Sequence, residues 1–133
     1  MSDRFIDTNV FLYLLEAGSK AAIAEREISA GGVVSFQVLN EVLANCIRKA
    51  KMSWDEAGEF LSELREIVEV RDLTEEVHDL GRTSGARYGF SVYGVMIVAA
   101  ALLNSCNTLL SEDVQHGLLV EDHLRIYNQS HVV

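Results

Sequence analysis

Three carboxylates stand where a charge is costly unless something binds it. Asp7 ends the short apolar run Phe5-Ile6. Asp113 ends Thr108-Leu109-Leu110-Ser111-Glu112. Glu41 lies in a helical stretch that follows Val33-Val34-Ser35. If the runs are strands of one parallel sheet, Asp7 and Asp113 share an edge, and ligands of such sheets bind outside the carboxyl ends of the strands. Glu41 sits about one turn into its helix, counting from Gln37, so its Cβ leans back toward the same edge. Three acids at one mouth would repel and raise each other's pKa. A divalent cation resolves that. Mg²⁺ and Mn²⁺ take hard oxygen ligands and keep several waters. Such an ion turns water into a nucleophile and neutralises a phosphodiester in its transition state.

Each acid also has a plainer reading. Asp7 could be a helix N-cap, although Asn9 could cap as well and leave Asp7 free. Glu41 could be a solvated helix residue beside Asn40 and Asn45. Asp113 could be a turn residue. Only their convergence makes a site.

The elements that must bring them together alternate. Strand Phe5–Ile6 leads to helix Val10–Glu16, then a helix at about Lys20–Ile28 that stops at Gly31-Gly32. Strand Val33–Ser35 precedes helix Gln37–Lys49. Ser53 and Glu56 form a capping box that opens a helix from Trp54 to about Val68. Val68–Leu73 is a weaker strand. Thr74 caps a helix that fades through Gly81, Gly85 and Gly89. Tyr93–Asn104 is apolar nearly all round, so it should be buried. Thr108–Ser111 and Leu124–Tyr127 are the last strands. Strands spaced by helices imply an α/β fold with a parallel sheet covered on both faces.

A length of 133 residues suits one domain, 1–133, and 49% hydrophobic with 23% charged residues excludes a disordered chain. No apolar run is long enough to span a bilayer, and neither membrane association nor a signal peptide is expected, since no basic stretch precedes an apolar one near Met1. Cys46 and Cys106 lie within apolar patterns and read as buried thiols, so a reducing cytoplasm is the expected location. The net charge of −9 argues against a protein that coats nucleic acid and permits a basic partner. Arg48, Lys49 and Lys51 cluster at a helix end and suit its dipole. Arg82 and Arg87 are the better candidates for phosphate contacts. Trp54 reads as a core or dimer contact, and His116 as a loop histidine.

The stretches "FIDTNVFLYLLE", "VSFQVLNEV" and "IVAAALLNSCNTLLSEDVQHG" resemble a PIN-domain ribonuclease, in particular the VapC-type toxin of bacterial toxin–antitoxin pairs. The likeness runs from Phe5 to Tyr127 and is most specific from Ile97 to Gly117. It implies a three-layer α/β/α fold around a mostly parallel sheet of four to five strands. It also implies Mg²⁺- or Mn²⁺-dependent hydrolysis of RNA, a homodimer, and a cognate VapB-type antitoxin. By that resemblance Asp7 matches the first catalytic acid, Glu41 the second and Asp113 the fourth, all three metal-binding. Asn9 supports Asp7, and Thr8 and Ser111 line the pocket.

The third acid departs from the pattern. The resemblance places an aspartate after an aromatic residue at the start of the buried helix, and this chain has Tyr93-Gly94-Val95. One charge and one oxygen are missing, so metal affinity should fall and catalysis should be weakened or abolished. The alternative is a PIN-fold binding module that holds antitoxin or RNA without cutting. A phosphatase or receiver with an aspartyl nucleophile fits less well. The phosphatase wants a second aspartate where Asn9 stands, and the receiver wants a late lysine, whereas the last lysine is Lys51.

Overall fold

Short runs rich in β-branched and aromatic residues form the strands, and the amphipathic stretches between them form helices. In chain order these are β1 (Arg4–Ile6), α1 (Thr8–Leu12), a 3-10 turn (Tyr13–Leu15), α2 (Ser19–Ser29), β2 (Val33–Ser35), α3 (Phe36–Arg48) and α4 (Trp54–Ile67). Then follow β3 (Glu69–Arg71), α5 (Glu75–Tyr88), α6 (Val92–Leu103), β4 (Thr108–Leu110), β5 (Leu119–Val120) and β6 (Leu124–Tyr127). The computed structural model describes residues 3–16, 18–89, 91–111, 119–120 and 124–127.

One sheet runs in the order β3-β2-β1-β4-β6-β5. β1, β2, β3, β4 and β6 are parallel, and β5 pairs antiparallel with β6. Neighbours along a strand face opposite sides, yet Phe5 and Ile6, Val33 and Val34, and Leu109 and Leu110 are all buried. Both faces of the sheet are therefore covered by helices, as a parallel sheet requires. The chain winds outward from β1 to β2 and β3, then returns through α6 to β4 on the other side of β1. That reversal puts a topological switch point between β1 and β4.

Local signals explain several boundaries. The Ser53–Glu56 capping box forms in both directions, at 3.1 and 2.9 Å, and starts α4. Gly31, at φ 86°, and Gly32 turn the chain into β2, and a Cβ on Gly32 would stand 2.6 Å from Ile6 Cδ1. The buried stretch of α6 runs through Val95 and Ile97–Ala101, in keeping with its uniform hydropathy.

Three expectations need correction. α5 does not fade at Gly81 and Gly85. It runs to Tyr88 and ends on Gly89 in the left-handed conformation, a usual glycine stop. Gly81 instead lets α6 approach, since a Cβ there would lie 2.6 Å from Met96 Sδ. Trp54 is not a core residue. It is 71% exposed, on the same helical stripe as buried Ala57 and Leu64 but one turn before the core begins. The sheet also carries a strand more than expected, the two-residue β5, which is too short to leave a periodic pattern. Among the described residues, no helix is long and apolar enough to cross a membrane.

Candidate functional site

The register of β1 against β4 builds the floor of the site. Ile6 pairs with Leu110, so Asp7 and Ser111 are the first residues past two adjacent strand ends, at the switch point. The Asp7 amide donates to the Leu110 carbonyl at 2.9 Å, and the Ser111 amide to the Tyr127 carbonyl at 3.0 Å. Both side chains are buried. The Ser111 hydroxyl donates to Asp7 Oδ2 at 2.6 Å, and the Thr8 amide donates to Asp7 Oδ1 at 2.6 Å. Each carboxylate oxygen of Asp7 is thus held by a donor, which compensates burial of the charge.

Asp7 takes the N-cap position of α1, and Asn9 is the second residue of that helix rather than its cap. The two readings of Asp7 are therefore compatible: one carboxylate caps α1 and faces the cleft. Thr8, the first residue of α1, donates its hydroxyl to Glu41 Oε2 on α3. The Asn45 side chain donates to the Glu41 carbonyl at 2.8 Å. Thr8 thereby links Asp7 and Glu41, which lie far apart in sequence.

These groups open onto a cleft of about 580 Å³. Asp7, Thr8, Asn9 and Leu12 line it from α1 and its cap, and Glu41, Ala44, Asn45, Arg48 and Lys49 from one face of α3 and its C-cap. Ser91, Tyr93, Gly94 and Ile97 line it from α6. Gly94 is buried in the first turn of α6, and its amide donates to the capping Ser91 hydroxyl at 3.1 Å.

Of the residues singled out in the sequence, Asp7, Thr8, Asn9, Glu41 and Gly94 meet in this cleft, with Ser111 bonded to Asp7 beneath it. Asp113 and His116 lie outside the described residues. Arg82 and Arg87, on α5, are not among the lining residues; Arg82 is exposed and lies 4.0 Å from Asp79. Among the described residues, the cations that line the cleft are Arg48 and Lys49, whose place at a helix end had suggested a complement to its dipole. The signal was present: Glu41, Asn45, Arg48 and Lys49 follow helical i, i+4, i+7, i+8 spacing and share one face.

The donor set on this wall consists of hard oxygens, which suits Mg²⁺ or Mn²⁺. Among the described residues, no group of three acidic, histidine or cysteine side chains comes together. Among the described residues, Asp7 and Glu41 are the carboxylates that line the cleft, and Gly94 contributes none.

A model of the PIN domain family matches residues 4–117. The chain belongs to the PIN domain family. Solved structures share this PIN fold at low identity. The DNA-bound VapBC of Salmonella typhimurium is 17% identical, with a TM-score of 0.71 over 97% of this chain and 99% of that one. VapBC-1 of nontypeable Haemophilus influenzae is 20% identical, with a TM-score of 0.70 over 96% and 98%. VapC20 of Mycobacterium tuberculosis, a toxin that cleaves the sarcin-ricin loop, is 18% identical, with a TM-score of 0.67 over 83% and 91%. No curated protein sequence matches significantly.

Proposed function

We propose that this PIN domain is the toxin half of a toxin–antitoxin pair, built as a metal-dependent endoribonuclease whose cleavage Gly94 weakens or abolishes. The observation that carries this reading is the meeting of Asp7 and Glu41 with Gly94 in one cleft at the switch point of a parallel sheet. Asp7, Glu41 and Asp113 are the residues that would hold Mg²⁺ or Mn²⁺. When bound, the ion supplies an activated water and neutralises charge on the scissile phosphodiester. The protein's own part is orientation. Ser111 and the Thr8 amide fix the Asp7 carboxylate, and the Thr8 hydroxyl fixes Glu41. Preset ligands cost no reorganisation when the metal and substrate arrive.

The toxin architecture of the structural relatives supports a VapB-type antitoxin as partner, and the acidic cleft suits a cationic segment of it. A homodimer and a cytoplasmic location belong to the same reading. The absent carboxylate at Gly94 also favours a second reading, a binding module that holds antitoxin or RNA without cutting.

RNA cleavage by the wild-type chain and by Gly94→Asp, each with Mn²⁺ and with EDTA, separates the two. The nuclease reading expects Gly94→Asp to cut faster than wild type in Mn²⁺ and neither to cut in EDTA. A restored variant that cuts no faster refutes the lost-ligand reading. Partner binding that needs no Mn²⁺, with no cleavage by either protein, establishes the binding module.

A further inference from the structure

Two buried polar atoms at the start of α3 have no hydrogen-bond partner among the described residues: Ser35 Oγ and Gln37 Nε2. Ser35 is 1% exposed. It ends β2 and takes the N-cap position of α3, yet its hydroxyl makes no capping bond. Leaving a buried polar atom alone costs more free energy than a typical hydrogen bond returns, so two of them two residues apart mark a place where something binds. The strand registers locate it. Phe5 pairs with Val33 across β1 and β2, and Ile6 pairs with Leu110 across β1 and β4. Carried to the strand ends, these registers set Asp7 between Ser35 and Ser111, all three on one face of the sheet. Ser111 donates to Asp7 Oδ2, whereas Ser35, on the other side, makes no direct bond to it. Gln37 lies four residues before Glu41, so the two share a face of α3, and the Glu41 side chain leans back toward the turn of Gln37. Neither Ser35 nor Gln37 lines the cleft, so both stand behind the wall that the carboxylates form.

We propose that Ser35 and Gln37 hold one buried water against Asp7 and Glu41 and, through it, set the two carboxylates for metal. The chemistry of the four groups selects water. An anion is repelled by the carboxylates, and a cation by the donor hydrogens of the Gln37 amide. Water accepts from that amide, shares a hydrogen bond with the serine hydroxyl, and donates to a carboxylate. Three bonds are what a buried water ordinarily makes. The size agrees: neighbouring strands stand about 4.8 Å apart, and a water with two bonds of about 2.8 Å bridges that span. Ser35 and Gln37 are positioning residues, because neither touches metal or substrate. The water rests on the geometry alone, and its consequence for metal rests on the nuclease reading.

Crystals of the metal-free protein that resolve ordered waters test the first part. One water should lie within about 3.2 Å of Ser35 Oγ, of Gln37 Nε2 and of an oxygen of Asp7 or Glu41. A site without that water, or a protein group bonded to both lone atoms, overturns the inference. Mn²⁺ titrations, followed by the electron paramagnetic resonance of the free ion, test the second part. Ser35→Ala and Gln37→Met should each weaken Mn²⁺ binding about 10- to 100-fold, the usual loss when a group behind a metal ligand is removed. Thermal melts verify that both variants fold. A merely structural role would lower the melting temperature and leave Mn²⁺ affinity alone, so unchanged affinity in either variant overturns the inference. If wild type itself takes up no Mn²⁺, the nuclease reading falls, and crystals of Ser35→Ala decide the inference by themselves. In them Asp7 or Glu41 should leave the hydrogen bonds it makes with Ser111 and Thr8; unmoved carboxylates overturn it.

Discussion

The contact most open to measurement is the one between Ser111 and Asp7. Its 2.6 Å length and the burial of both partners, 0% and 3% exposed, make it a hydrogen bond to a charge in a medium of low dielectric. Such bonds contribute about 1.5–3 kcal/mol, against about 0.5–1.5 kcal/mol between neutral partners. Ser111→Ala removes the donor and leaves Asp7 Oδ2 without that partner, so unfolding free energy should fall by about 1.5–3 kcal/mol. With a urea dependence of about 1–2 kcal/mol per molar, the midpoint of a circular-dichroism titration should drop by roughly 1 M or more. In an Asp7→Asn background the acceptor is neutral, and the same substitution should cost only about 1 kcal/mol. The double-mutant cycle should therefore return a coupling of about 0.5–2 kcal/mol. An equal cost in both backgrounds, or a cost below about 0.5 kcal/mol in wild type, would refute the claim that Ser111 holds the Asp7 charge in place.

Other perturbations follow from packing and burial. Gly58 lies mid-helix on α4 with nothing within 4 Å of a new Cβ, so Gly58→Ala should raise stability by about 0.5–1 kcal/mol. Gly32→Ala should lower it by about 1–3 kcal/mol, because its Cβ would meet Ile6 Cγ1 at 2.9 Å and the Arg4 carbonyl at 3.2 Å; chemical denaturation of the pair checks both signs. Burial, with Asp3 nearby, pushes the Cys106 thiol from 9.0 up to about 11, and burial also raises Cys46. Neither thiol should react with Ellman's reagent in the native protein near neutral pH, and both should react on unfolding. The folded chain keeps the Cys106 proton longer than the unfolded chain does. Its contribution is therefore complete below about 9.0 and lost as pH rises toward 11, visible as alkaline destabilisation that Cys106→Ala reduces.

Features whose physics is local were legible in the chain. The Ser53–Glu56 capping box depends on residues three apart, and it forms where the spacing put it. The uniform hydropathy of α6 could be met only by burial, and most of the helix is buried. The alternation of apolar runs and amphipathic stretches determined a parallel sheet covered on both faces, because no other arrangement covers strands that are apolar on both sides. It also determined that Asp7 would follow a strand and Glu41 would lie early in the next long helix. Tertiary structure decided everything that depends on residues meeting across the chain. The bond from Ser111 to Asp7 joins residues 104 positions apart and exists because β4 pairs with β1 in one register; a shift of one residue would turn the hydroxyl to the other face. The link from Thr8 to Glu41 needs α1 packed against α3. The same packing carries Arg48 and Lys49 into the cleft, where helix-end composition alone favoured a complement to the helix dipole over a phosphate contact. Trp54 has the spacing of a core residue and ends in water, because periodicity specifies a face of a helix while the extent of the core along that face is set by its neighbours.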